Sequence, residues 1–332
     1  MRSRPIPRAD ASVSEIGLGC WQIGGGEWGN VDHETALDIL STAHQCGITM
    51  FDTADIYGSG RSESLIGEFL RGAPKDSEKP IFVATKLGRS SEPGWPQNFT
   101  LATMQSHAEG SLKRLGVDQL DLLQLHCIPE NELRSGQVFD NLRQMQEQGM
   151  IRAFGASVES LTEAQLCLEQ EGIASLQIIF NIFRQIPSRE FFAEAAARDV
   201  ALIIRLPLAS GLLSGRFTKD TSFAPTDHRN FNRDGQAFNV GETFAGLPFE
   251  RGIELVDEIR PLVPGGMTMA HFAQRWILDH PAVTTVITGA TRPDQARRNA
   301  ASSESPHLSD SIHSQLAALF DSRIQEFVRG PV

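Results

Sequence analysis

Residues 100–126 read TLATMQSHAEGSLKRLGVDQLDLLQLH, one helix followed by one strand. Leu101, Met104, Ala108, Leu112 and Leu115 recur at three- and four-residue spacing, which places them on one helix face. Thr100 is a natural N-cap and Gly116 a natural stop, because a hydroxyl accepts from early amides and glycine adopts the left-handed turn. The leucine-rich run LDLLQLH at 120–126 then reads as a strand.

The same unit repeats in both directions. Apolar runs at 16–20 (IGLGC), 48–53 (ITMFDT), 81–86 (IFVATK), 120–126, 152–157 (RAFGAS), 176–181 (LQIIFN), 200–206 (VALIIRL) and 283–288 (VTTVIT) predict eight strands. Between them, Asp32 caps a helix with Ala36, Ile39, Leu40 and Ala43 on one face, closed by Gly47. Ser160 and Glu163 form a capping-box pattern, and Pro293 stands where a helix begins. Eight strands separated by helices predict an α/β fold, a (β/α)8 TIM barrel forming a single domain over residues 1–332. The Gly-, Pro- and Ser-rich stretches 87–99 and 207–250 both follow strands, so they are expected as long βα loops at the C-terminal mouth.

The formal net charge of −11 argues against a nonspecific nucleic-acid binder but leaves room for an anionic cofactor on a local arginine cluster. Cys20, Cys46, Cys127 and Cys167 show no CxxC or Cys/His ligand spacing, so reduced thiols and no metal site are expected. The segment MRSRPIPRADASVSEIGLG has no apolar signal core, and no apolar run is long enough for a bilayer, so the expected location is the cytoplasm, with no membrane partner.

Distinctive polar residues fall at the C-terminal ends of successive strands: Asp52, Lys86, His126, Ser157, Gln177 with Asn181, and Arg205. In a barrel these ends converge on one mouth. Tyr57 lies five residues past Asp52, and it is the single tyrosine in a chain with 19 phenylalanines, so its hydroxyl is expected to have a task. The set suits carbonyl reduction. Hydride arriving at carbon builds charge on oxygen, which needs a proton donor. A lysine ammonium beside the phenol lowers its pKa, a carboxylate keeps that lysine charged, and a histidine orients the carbonyl oxygen. Singly, each has an ordinary explanation: a turn aspartate, a solvated lysine, a core histidine. Together at one mouth they form a constellation.

The segments GLGCWQIGG, FDTADIYGSGRSESLIG, VATKLG, DLLQLHCIP, IRAFGASVES, RLPLASGLLSGRF and VITGATRPDQARRN resemble the aldo-keto reductases in order and spacing, from about residue 12 to 300. The loop FAPTDHRNF from Phe223 is similar to that of bacterial members. The resemblance implies a metal-free oxidoreductase with a catalytic tetrad of Asp52, Tyr57, Lys86 and His126 and an extended NADP(H), NAD(H) being the alternative. It implies Ser157 and Gln177 at the carboxamide, Arg205 against the nicotinamide, and Cys20, Trp21, Asp52 and Leu206 around it. Leu208, Ser210, Gly211, Leu213 and Arg216 would follow the pyrophosphate, with Gly289, Ala290, Thr291, Arg292, Gln295 and Asn299 at the adenosine end. Three positions depart from the family pattern. Val158 replaces an asparagine, Arg205 stands where an aromatic is frequent, and Thr291 leaves Arg292, helped by Arg298, to meet a 2′-phosphate.

Trp21, Trp28, Tyr57, Trp95, His126 and Phe183 are expected to wall the substrate pocket, with Asp55, Arg229 and Asn230 adding polar groups. The expected substrate is a polar carbonyl, a sugar, a polyol or a small aldehyde. Competing readings are a Rossmann dehydrogenase built on Gly24, Gly26 and Gly29 with Asp52, a cofactor-binding regulatory module like the potassium-channel β-subunits, and a lyase or hydrolase using Lys86 as a Schiff base. The C-terminal segment 308–328 places Ile312, Leu316, Leu319 and Phe320 on one face, a packing helix; the sequence does not define an oligomeric state.

Overall fold

The structure, a computed structural model, describes residues 1–25, 31–73 and 79–331. It opens with an antiparallel hairpin, β1 (Ser3–Ile6) and β2 (Ala11–Ser14). Eight parallel strands follow: β3 (Ile16–Gly19), β4 (Met50–Asp52), β5 (Phe82–Leu87), β6 (Leu120–His126), β7 (Ile151–Ser157), β8 (Ile173–Ile179), β9 (Ala201–Arg205) and β10 (Val283–Gly289). They close in the order β10-β3-β4-β5-β6-β7-β8-β9, so the expected TIM barrel is the fold. β8 begins three residues before the expected run, directly after Gly172, whose φ of 85° makes the turn into the strand.

The local signals act as their chemistry requires. Asp32 accepts from Thr35 N at 2.8 Å, Thr100 accepts from Thr103 N at 3.3 Å, and Gly116 closes its helix at φ 70°. Ser160 accepts from Glu163 N at 3.1 Å, while the Glu163 carboxylate accepts from Glu159 N at 2.7 Å, so that box reaches back one residue further than the pattern.

Strand alternation divides the barrel interior into an apolar base and a polar top. Residues two apart share a face, so Met50 and Asp52, Ala84 and Lys86, Leu122 and Gln124, and Ile203 and Arg205 project into the same interior. The lower members pack in one apolar cluster with Ile6, Ala9 and Val13. The hairpin is therefore the floor of the barrel. Its short strands were not legible in the sequence, because Pro5, Pro7 and three arginines interrupt the apolar run. Arg4 fastens it, donating to Leu278 O at 2.7 Å and to the buried Glu15 carboxylate at 2.9 Å.

The 207–250 stretch is ordered around aromatic rings: Phe223 and Phe249 lie 5.7 Å apart and Phe244 and Phe249 4.8 Å. Arg229 covers Phe223 at 4.5 Å and pairs with Asp227 at 2.6 Å. Among the described residues no helix is long and apolar enough to cross a membrane.

The last α-helix, Asp310–Leu319, returns to the barrel through Asp279, which accepts from Leu308 N at 2.9 Å and bonds His313 at 3.1 Å, His307 at 2.6 Å and Arg275 at 2.9 Å. Burial alone would raise this carboxyl. The bonds from His313 and Leu308 N and the Arg275 charge outweigh it and hold the pKa at about 2. A depressed carboxylate stabilises the fold above its unfolded pKa and loses that contribution as pH falls toward the folded one. Asp279→Asn should cost about 2 kcal/mol at pH 7, and the difference should shrink as pH falls from about 4 toward 2. Urea melts at pH 7 and pH 3 measure this, and equal midpoints at pH 7 would reject it.

Candidate active site

Lys86 ends the inward row of β5 and is fully buried. Its ammonium donates to Asp52 Oδ1 at 2.7 Å, to Thr53 O at 2.8 Å and to the Tyr57 hydroxyl at 3.4 Å. Three acceptors meet three protons. Asp52 in turn accepts from Gln177 Nε2 at 2.7 Å and Gln124 Nε2 at 3.4 Å, and Ser157 Oγ donates to Gln177 Oε1 at 3.3 Å. Barrel register supports this network: His126 pairs with Ser157 and Ser157 with Gln177, so these neighbouring strands hold those side chains level with one another.

Tyr57 sits in the turn after β4. Gly58 takes φ 59° and lies directly on the backbone of Gly24, where any Cβ would collide. This close approach sets the hydroxyl over Lys86, with Trp21 stacked on the ring at 5.8 Å and 17°. The His126 ring stands edge-on to Tyr57 at 5.7 Å, and its Nδ1 is buried without a hydrogen-bond partner among the described residues.

The electrostatics differ from the sequence expectation at one point. Burial raises the Tyr57 pKa to about 12, and the opposing pull of Lys86 recovers only part of that rise. The phenol is therefore neutral near pH 7, the form that can donate a proton. Burial also opposes charge on Lys86, but Asp52 and then Tyr57 outweigh it, and the ammonium is held above its ordinary range. His126 is driven well below its usual pKa by burial, then by Lys86, Arg89 and Arg205, so its imidazole is neutral.

These residues open on a cavity of about 820 Å³, within the size range of ligand sites. Its lining contains Asp52, Tyr57, His126, Trp21, Ser157, Gln177, Arg205 and Leu206. It continues along Leu208, Ser210, Gly211 and Arg216 to Gly289, Ala290, Thr291, Gln295 and Asn299. The sequence profile of the Aldo/keto reductase family matches residues 15–321.

The chain belongs to this family. It is 29% identical to the Bacillus subtilis aldo-keto reductase YhdN over 302 residues, covering 89% of this chain and 86% of that protein. It is 26% identical to an Escherichia coli NADH-specific methylglyoxal reductase, covering 91% and 93%. A glycerol dehydrogenase of Gluconobacter oxydans matches in structure with a TM-score of 0.78 at 27% identity, over 99% of this chain and 97% of that one. Aldo/keto reductases are oxidoreductases that use nicotinamide cofactors.

Several residues lie elsewhere than expected. Cys20 is fully buried with its thiol toward Leu18 O at 3.6 Å, and Leu213 is core. Phe183 is fully buried under the turn that Asn181 closes by accepting from Phe183 N at 2.9 Å; it is packing, not pocket wall. Trp95 lies outside the cavity with its indole N–H on Gly88 O at 2.6 Å. Arg292 is outside the lining too, paired at the surface with Asp294 at 3.1 Å, which also takes Arg298 at 2.7 Å. Asn230 braces its own loop on Phe223 O at 3.0 Å, and Asp55 is absent from the lining whereas Arg229 is present. Trp28, Gly26 and Gly29 lie outside the described residues.

Sequence reasoning missed Gln124, Arg89, Gln22 and Glu242. Gln124 carried a usable signal, since it stands two residues before His126 and so shares its face. Glu242 carried none: it comes from the long loop to pair with Arg205, which also donates to Val158 O at 2.9 Å. Burial opposes the Arg205 charge, and Glu242 and Cys127 more than offset it. Cys127, Glu159 and Glu242 bring ligand-type atoms within 4.8 Å of one another, and the Arg205 guanidinium supplies positive charge there.

A dinucleotide fits the donor set. Gln177 retains one N–H and one lone pair beyond its bonds to Asp52 and Ser157, enough for a carboxamide. Ser210 and Gly211 take φ 54° and 101° in a left-handed turn along this lining, and the Arg216 guanidinium in the same stretch could meet phosphate oxygens. Gln22 Oε1 is buried, has no hydrogen-bond partner among the described residues, and its residue is part of the lining.

Because Tyr57 is the only tyrosine, absorbance near 295 nm reports it alone. In the cofactor-free protein the phenolate should form with a midpoint of about 12, and in guanidinium it should return to the reference value of about 10. A folded-state midpoint at or below 10 would show that Lys86 outweighs burial.

Proposed function

We propose that this protein is an NADP(H)-dependent carbonyl reductase or alcohol dehydrogenase, acting on small aldehydes, sugars or polyols. The observation that carries the reading is the buried Lys86 ammonium bonded at once to Asp52 and the Tyr57 hydroxyl, with neutral His126 beside them at the cavity. The nicotinamide supplies or accepts the hydride. Tyr57 Oη gives its proton to the developing alkoxide in reduction and takes it back in oxidation. Lys86 stabilises the phenolate left behind, worth more in this dry site than in water. Asp52 keeps Lys86 charged and in place. His126, neutral at physiological pH, donates one hydrogen bond to the carbonyl oxygen and orients it.

Ser157 and Gln177 would hold the carboxamide, and the 208–216 loop the pyrophosphate. The methylglyoxal reductase and glycerol dehydrogenase among its relatives support a small, polar substrate. NAD(H) is the second reading of the cofactor, favoured by Asp294, which engages both guanidiniums that would meet a 2′-phosphate. A cytoplasmic location accords with this chemistry.

Tyr57→Phe should lower kcat by 10²- to 10⁴-fold, roughly the contribution of a positioned acid, while cofactor affinity survives. Fluorescence titration with NADPH and assays on an aldehyde and polyol panel measure both. Tight binding without turnover on any substrate would favour a regulatory module.

Arg292→Ala should lower the ratio of NADPH to NADH affinity by about tenfold, the scale of one charge-assisted bond. An unchanged ratio would leave the 2′-phosphate without Arg292 as a partner.

A further inference from the structure

Four arginines line the cavity: Arg89, Arg205, Arg216 and Arg229. Two are neutralised, Arg205 by Glu242 and Arg229 by Asp227. Arg216 stands in the stretch of the left-handed Ser210–Gly211 turn, where the proposed function puts the cofactor pyrophosphate. Arg89 has no such explanation. Its guanidinium makes no hydrogen bond, ion pair or ring contact among the described residues, although it shares the lining with Tyr57, His126 and Cys127. The negative charge nearest the reacting atoms, Asp52, is already taken up by Lys86. Glu159 feels the Arg89 charge but lies beyond ion-pairing distance.

The loop fixes this position. Gly88, at φ 116°, accepts from Trp95 Nε1 at 2.6 Å and from Asn98 Nδ2 at 3.2 Å, and Ser90 O accepts from Asn98 Nδ2 at 2.7 Å. Backbone anchors thus stand on both sides of Arg89 and hold its Cα at the cavity wall. A half-buried guanidinium without a counter-charge is costly, and an arriving oxyanion would relieve that cost.

We propose that Arg89 binds an oxyanion, carboxylate or phosphate, carried by the carbonyl substrate, so that the preferred substrates are short acidic or phosphorylated aldehydes and ketones. The inference rests on the reductase reading and narrows its substrate class. Arg89 sits on the catalytic side of the cavity, three residues past Lys86, where it engages the substrate rather than the dinucleotide.

The test compares kcat/KM within matched pairs: succinic semialdehyde against butanal, and glyceraldehyde 3-phosphate against glyceraldehyde. Wild type should favour the charged member of at least one pair by about tenfold or more, the scale of a charge-assisted bond. Whichever pair shows the preference identifies carboxylate or phosphate as the group. Arg89→Gln should collapse that ratio toward one, mainly through KM, and Arg89→Lys should retain part of it. No preference in either pair, or a preference unchanged in Arg89→Gln, overturns the proposal.

Calorimetry with succinate and with inorganic phosphate, on the NADPH-loaded protein, separates this inference from the reductase reading. If no aldehyde is turned over, the reductase reading fails. Anion binding that weakens about tenfold in a folded Arg89→Gln then still supports the Arg89 site, and absence of anion binding overturns it.

Discussion

A lysine ammonium placed out of reach of water is unfavourable unless its protons and its charge are all answered. Lys86 is answered on every side: by the Asp52 carboxylate at 2.7 Å, the Thr53 carbonyl at 2.8 Å and the Tyr57 hydroxyl at 3.4 Å. Remove any one of these and the site holds an unsatisfied buried cation. Asp52 is fixed in its turn by the side-chain amides of Gln177 and Gln124, reaching across from two other strands. The whole mouth of the barrel is organised around one charge that would not otherwise remain buried.

Closing the strands into a barrel makes that answer available. The inward rows run from Met50, Ala84 and Leu122 at the base to Asp52, Lys86, Gln124 and His126 at the top, so apolar packing and polar chemistry occupy opposite ends of one interior. The floor is sealed by Ile6, Ala9 and Val13 of the hairpin, which keeps water from reaching the network from below. Dryness then sets the protonation states: a neutral phenol, a charged lysine and a neutral imidazole.

The cavity above has a distinct electrostatic layout. Glu242 descends from the long loop to neutralise Arg205, and Asp227 does the same for Arg229. Arg216 and Arg89 keep their charge at different places in the same space, one in the stretch of the left-handed Ser210–Gly211 turn and the other sharing the lining with Tyr57 and His126. A protein with a formal charge of −11 thereby offers a locally positive pocket to anionic ligands.

The sequence by itself determined what depends on neighbours in the chain. The eight strand runs, the caps at Asp32, Thr100 and Ser160, the stop at Gly116 and the alternation that aims Asp52, Lys86 and His126 inward all follow from short-range periodicity and turn chemistry. The singular Tyr57 was visible because phenylalanine serves everywhere else. The tertiary structure alone decided what depends on distance and solvent. It joined Arg205 to Glu242 and Gln177 to Asp52, buried Phe183 in the core, turned Trp95 onto Gly88 and left Arg89 facing the cavity. It also reversed the expected shift of Tyr57, since the gain from a nearby ammonium can be read from a motif, whereas the cost of losing water is set by everything packed around it.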